Sequence, residues 1–136
     1  MREFSQMGHL EFMKQRLIVS PHPGIPLFLW GGPPLSRGGR AGFVETERIG
    51  ISSDLVRDFE AWQSAWEGNF QDRIINKKGM IVPFWKEGFD SIKWRSHGVA
   101  LMHRLQDERP DLDVRNGFDM YVYPTDPVTH EPQTDY

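Results

Sequence analysis

Cysteine is absent from all 136 residues. That removes disulfides, thiolate zinc sites, iron–sulfur ligation and cysteine nucleophiles from the possibilities. Its absence also suits a reducing compartment, so a cytoplasmic location is the expectation. Long apolar runs are missing too. The longest, "IPLFLW" from Ile25 to Trp30, is strand-sized and far short of the ~18 residues that a membrane span needs. The opening "MREFSQMGHLEF" has no apolar core of the kind a secretory signal carries. An excess of positive charge is lacking as well: 16 basic residues face 19 acidic ones, for a net charge of -3. This argues against general nucleic-acid binding, although a local basic patch is compatible with it. Motifs that would fix a chemistry do not occur. There is no G-x-S-x-G elbow, H-E-x-x-H, Walker loop or EF-hand loop, and no cofactor is expected.

A chain of this length reads as one domain, large enough to bury a core without staples. Met13 opens "MKQRLIVS" and reads as a native start. Residues 1–12 are then expected to be a disordered extension, with the domain spanning 13–123 and a proline-rich flexible tail over 124–136. "QRLIVS" (Gln15 to Ser20) has strand character, "PHPG" breaks it, and "IPLFLW" resumes extended structure, with Pro26 favouring an edge. The stretch 31–50, "GGPPLSRGGRAGFVETERIG", is dominated by glycine and proline and reads as a long loop, either a binding loop or a flexible insertion.

Two helices follow. Ser52 or Ser53 caps the first. At ~100° per residue, Leu55, Phe59, Trp62, Trp66 and Phe70 fall within an arc of about 80°, opposite Arg57, Glu60, Ser64 and Glu67. Burying four large aromatic side chains contributes roughly 6–12 kcal/mol gross, comparable with a domain's net stability. This stripe is therefore expected to be interior. The second helix runs from about Ser91 to about Glu108, capped by Asp90 or Ser91 and stopped by Pro110. Trp94, Gly98, Leu101, Met102 and Leu105 share its apolar side, and Gly98 invites the close approach of another backbone. Between the helices, residues 71–90 read either as a hairpin with Gly79 in a left-handed turn or as a packed loop. "LDVRNGFDMYVY" (Leu112 to Tyr123) reads either as one strand or as a bulged hairpin that sets Asp113 opposite Asp119.

The order "LIVSPHPGIPLFLW … ISSDLVRDFEAWQSAWEGNF … GVALMHRLQDERPDLDVRNGFDMYVY" resembles a group of small bacterial proteins with a "PLxLW" segment followed by a tryptophan-rich helix. That resemblance implies an α+β fold and carries no established activity or site residue. The fold class expected is α+β, with two amphipathic helices packed on a small, mainly antiparallel sheet. The function expected is non-enzymatic protein binding, immunity- or antitoxin-like in its concrete form, with a toxin or a self-copy as partner. Candidate contact residues are Trp30, Arg37, Arg40, Trp85, Asp113 and Asp119.

Two rival readings remain. A small hydrolase or nuclease would need a cleft that joins His22, His97 or His103 to carboxylates. His97 and His103 lie about 120° apart on a helix, which separates them, and Ser20 with His22 lacks an acidic orienter. Local nucleic-acid binding would need Lys77, Lys78, Lys86, Lys93, Arg95 and Arg104 to assemble around Trp85 and Trp94.

Overall fold

The computed structural model describes residues 14–22, 24, 27–36 and 39–132. The expected extension over residues 1–12 and the candidate contact residue Arg37 lie outside them. The fold is α+β. Four strands, β1 (Gln15–Val19), β2 (Leu29–Gly31), β3 (Gly42–Phe43) and β6 (Leu112–Asn116), form one sheet in the order β3-β2-β1-β6. β4 (Phe70–Ile75) and β5 (Ile81–Trp85) form a separate antiparallel hairpin. α1 (Thr46–Ile49) is a single turn; α2 (Ser53–Asn69) and α3 (Ser91–Glu108) are the two long helices.

Local chemistry sets the helix ends. Ser52 Oγ accepts from the Leu55 amide, and Asp90 Oδ1 accepts from the Lys93 amide, so each helix begins on a side chain that satisfies one of its orphan donors. Glu108 at the end of α3 accepts from both the Ser52 amide (2.6 Å) and the Ser52 hydroxyl (2.7 Å), which ties the exit of α3 to the entrance of α2. The aromatic stripe is interior as expected: Leu55, Phe59, Trp62 and Trp66 are buried. Phe70 ends α2 and begins β4, with its ring stacked on Trp66 at 5.3 Å. On the sheet, Leu17, Val19 and Leu29 are fully buried, and Phe28 stacks on Phe59 of α2 at 4.7 Å. The core lies between this face and the two helices.

Several expectations change. β1 pairs with β6 in parallel, with Leu17 opposite Val114, while its pairing with β2 is antiparallel. β6 ends at Asn116 and the chain turns into a 3-10 segment, Asp119–Tyr121, so neither the continuous strand nor the bulged hairpin expected over 112–123 forms. Its cause is local: the Asn116 side-chain oxygen accepts from the amides of both Phe118 (2.8 Å) and Asp119 (3.1 Å), which bends the backbone out of the strand. Gly98 faces a ring where a backbone was expected. A Cβ there would stand 2.7 Å from Trp62 Cζ2 and 2.9 Å from Phe118 Cζ.

The 31–50 stretch holds β3 and α1, and it buries Leu35, Val44 and Ile49. Its glycines and prolines mask three well-spaced core anchors. The expected flexible tail over 124–136 is tied down at its start, and its last residues, 133–136, lie outside the described ones: Thr125, 1% exposed, exchanges two backbone hydrogen bonds with Ile81 at 2.7 and 2.9 Å. The hairpin reading of 71–90 is the one adopted, with Gly79 at φ 80° in the turn. No helix among the described residues is long and apolar enough to cross a membrane.

Candidate functional site

Residues opposite one another in a ladder point to the same face. Alternation along β1 sends Leu17 and Val19 into the core and leaves Arg16 and Ile18 on the other side of the sheet. Ile18 stands opposite Trp30 on β2 and opposite Arg115 on β6; Trp30 in turn stands opposite Phe43 on β3. A row of four residues, Phe43–Trp30–Ile18–Arg115, therefore crosses the outer face of the sheet. Beside it Arg16 stands opposite Asp113. Met120, carried over by the turn after β6, and His22, following β1, close the two sides of a groove of about 760 Å³.

The groove has two unlike ends. At one, Trp30, Phe43 and His22 pack against each other. Trp30 meets Phe43 edge-on at 5.2 Å, and Phe43 meets His22 edge-on at 4.9 Å. Burial lowers the His22 pKa below its ordinary value, and its Nε2 is enclosed with no hydrogen-bond partner among the described residues. At the other end, Asp113 is shared by two arginines, at 2.9 Å from Arg115 Nε and 3.7 Å from Arg16 Nε. The Arg115 hydrogen bond, then desolvation working against it, then the charges of Arg115 and Arg16, leave the Asp113 carboxyl below the usual range. Two cations against one anion leave one positive charge in excess there. Both arginine side chains are more than half exposed, at 64% and 57%.

The structure thus joins Trp30 and Asp113, which the sequence singled out separately. It parts them from the other candidates. Trp85 belongs to the aromatic cluster of the core: it contacts Phe70, Phe89 and Trp94, and its indole donates to the Tyr121 carbonyl at 2.7 Å. Asp119 is held by Arg95 (2.7 Å) and by Asn116 (2.9 Å), so it is used internally. Arg40 is exposed, and its carbonyl accepts from Ser36 Oγ. Arg16, Ile18, Phe43, Arg115 and Met120 were missed. The alternation of β1 marks Arg16 and Ile18 as sharing a face, but only the pairing of β1 with both β2 and β6 shows what stands beside them.

Among the described residues, the serine and histidines singled out for catalysis are not gathered at one place, although His103 and Asp107 line one small hollow beside α3. The Ser20 hydroxyl donates to the Pro21 carbonyl (3.4 Å) and not to His22. His97 and His103 are exposed on α3. Among the described residues, no three His, Asp or Glu side chains are grouped to hold a metal ion. Three members of the expected basic platform have other partners or are interior. Trp94 is buried, Arg95 is committed to Asp119, and Arg104 is committed to Asp58 at 2.6 Å. A second hollow of about 660 Å³ is walled by Trp66, Phe70 and Tyr121, rings that pack on one another as part of the core rim. No family model, curated protein or solved structure matches the chain.

Proposed function

We propose that the chain is a non-enzymatic protein-binding module that uses the outer face of its four-stranded sheet as the contact surface. An immunity- or antitoxin-like role, in which the module occupies a toxin, is the concrete form of this reading. One observation carries it: on the face opposite the core, Trp30, Phe43, Ile18 and Met120 are only half-buried, where no helix of the described chain covers them. An aromatic patch of this kind, rimmed by charge, has the composition of a contact centre, in which tryptophan and arginine supply most of the binding energy.

The test is site-specific photocrosslinking in a lysate of the source organism. A photoreactive phenylalanine analogue at position 43 is expected to give one discrete, saturable adduct with a protein, lost when Trp30→Ala is added. The same group at Ser64, exposed on the far side of α2, is expected to give none. Equal labelling from both positions, or no adduct at position 43, overturns the reading.

A further inference from the structure

We propose that the sheet-face groove takes an acidic, extended segment of a partner protein, with an aromatic or aliphatic side chain against Trp30 and a carboxylate about three residues away on Arg115 and Arg16. This rests on the protein-binding reading above and names the partner's chemistry.

Charge supplies the first argument. The chain as a whole carries -3, yet this groove ends in two arginines that share one carboxylate. Each guanidinium has five N–H donors in a planar fork. Asp113 receives the Arg115 Nε–H and lies 3.7 Å from Arg16 Nε. The remaining forks, on exposed side chains, are suited to a second carboxylate, which arginine binds through two parallel hydrogen bonds. Elsewhere the negative balance of the protein repels an acidic partner, so attraction is focused on this end of the sheet.

Spacing supplies the second. Trp30 and Arg115 both flank Ile18, on the strands to either side of it. Two inter-strand steps separate them by about 10 Å, and a segment in the extended polyproline-II conformation, with three residues per turn at ~3.1 Å each, sets side chains three positions apart on the same side at about 9 Å. A segment that crosses the strands therefore meets the apolar end and the cationic end with side chains about three positions apart. Addition of a strand at the β6 edge would have to displace Gln106, whose side chain donates to the Leu112 carbonyl (2.6 Å) and accepts from the Val114 amide (3.3 Å).

Nucleic acid fits less well. The carboxylate of Asp113 lies between the two arginines at the cationic end and would face a phosphate backbone.

The test is selection of random displayed dodecapeptides on the intact chain, on Trp30→Ala and on an Arg16→Gln/Arg115→Gln double variant, followed by titration of the selected peptides. The arginines are exposed, and circular dichroism checks that each variant is folded. The inference expects enrichment of an aromatic or aliphatic residue with Asp or Glu about three places away. Such peptides should bind about tenfold more weakly to the double variant and lose measurable binding to Trp30→Ala. Trp30-dependent peptides with no acidic enrichment overturn the acidic partner and leave the protein-binding reading standing. Absence of any Trp30-dependent peptide overturns both. An oligouridylate dodecamer that binds through Arg16 and Arg115 more tightly than any peptide also overturns the inference, in favour of a nucleic-acid partner.

Discussion

Trp62 and Trp94 lie face to face, with ring centroids 4.5 Å apart and planes 6° from parallel. Each indole N–H donates to the backbone carbonyl of the other residue at 3.0 Å. The pair joins α2 to α3 by stacking and by two reciprocal hydrogen bonds, so that both buried polar handles are satisfied. Gly98 makes room for it, since a Cβ there would stand well inside van der Waals contact of Trp62 and Phe118. Two effects compete in Gly98→Ala. Alanine is better than glycine in a helix by about 1 kcal/mol. Forcing a methyl group into a packed ring costs typically about 1–3 kcal/mol, or more where neighbours cannot move. Both rings touching this position are held by other partners, so the steric term wins. The expected outcome in urea denaturation is a net loss of about 1–2 kcal/mol; an unchanged or raised midpoint would show that Trp62 and Phe118 shift freely. At this scale the sequence was informative about burial: the spacing of Trp62 and Trp66 on α2, and of Trp94 and Gly98 on α3, marks the faces that become interior. It could not show the reciprocal bonds, because those depend on how far one helix has slid along the other.

Edge protection is the theme at the level of the strands. An uncovered edge offers its free amides and carbonyls to another chain, and three devices limit that here. Gln106 occupies the outward groups of β6. The Asp72 carboxylate accepts from the Arg73 amide on β4 at 2.7 Å. On β5, Pro83 has no amide to offer, and Ile81 is paired with Thr125. Gln106→Ala removes the first device and is expected to raise self-association above that of the wild type across a sedimentation-velocity concentration series. Gln106→Glu keeps an acceptor for Val114 but loses the donor to Leu112 and should fall between the two; identical sedimentation of all three would refute the role. None of this is visible in the sequence, where Gln106 is one polar residue among several late in a helix. The same limit explains why β3 and α1 read as loop. Leu35, Val44 and Ile49 become anchors only once β2 and α2 are in place to receive them, and their spacing matches neither a helical nor a strand period. The parallel pairing of β1 with β6 was hidden for a related reason, since it joins Gln15 to Leu112, 97 residues apart in a chain of 136.

For the molecule as a whole, pH separates the contribution of the open sheet face from that of the surface ion pairs. Of the candidate site, the sequence singled out Trp30 and Asp113, and topology decided that Arg16, Phe43 and Arg115 stand beside them on one sheet face and that Trp85 and Asp119 do not. His22, wedged beside Trp30 and Phe43, has a pKa lowered by burial. The unfolded chain therefore takes up its proton first as pH falls below the ordinary imidazole value of 6.5. The stabilising contribution of neutral His22 is complete above that value and is lost on descending through the lower, folded pKa. The carboxylates behave in the same sense but at lower pH. Asp111 is pushed down to about 2, chiefly by its hydrogen bond from Arg109, and Glu108 is lowered chiefly by the Ser52 amide. Their contribution is present above the ordinary carboxylate range and disappears as pH falls through the folded values. Melting temperature against pH should thus fall in two stages, one beginning just below 6.5 and the other below about 4. His22→Phe places a ring of similar outline between Trp30 and Phe43 with nothing to protonate, so it should flatten the upper stage and leave the lower one intact. If the upper stage survives that substitution, the group that titrates there is not His22, and the neutral, enclosed state assigned to it at this end of the groove is wrong.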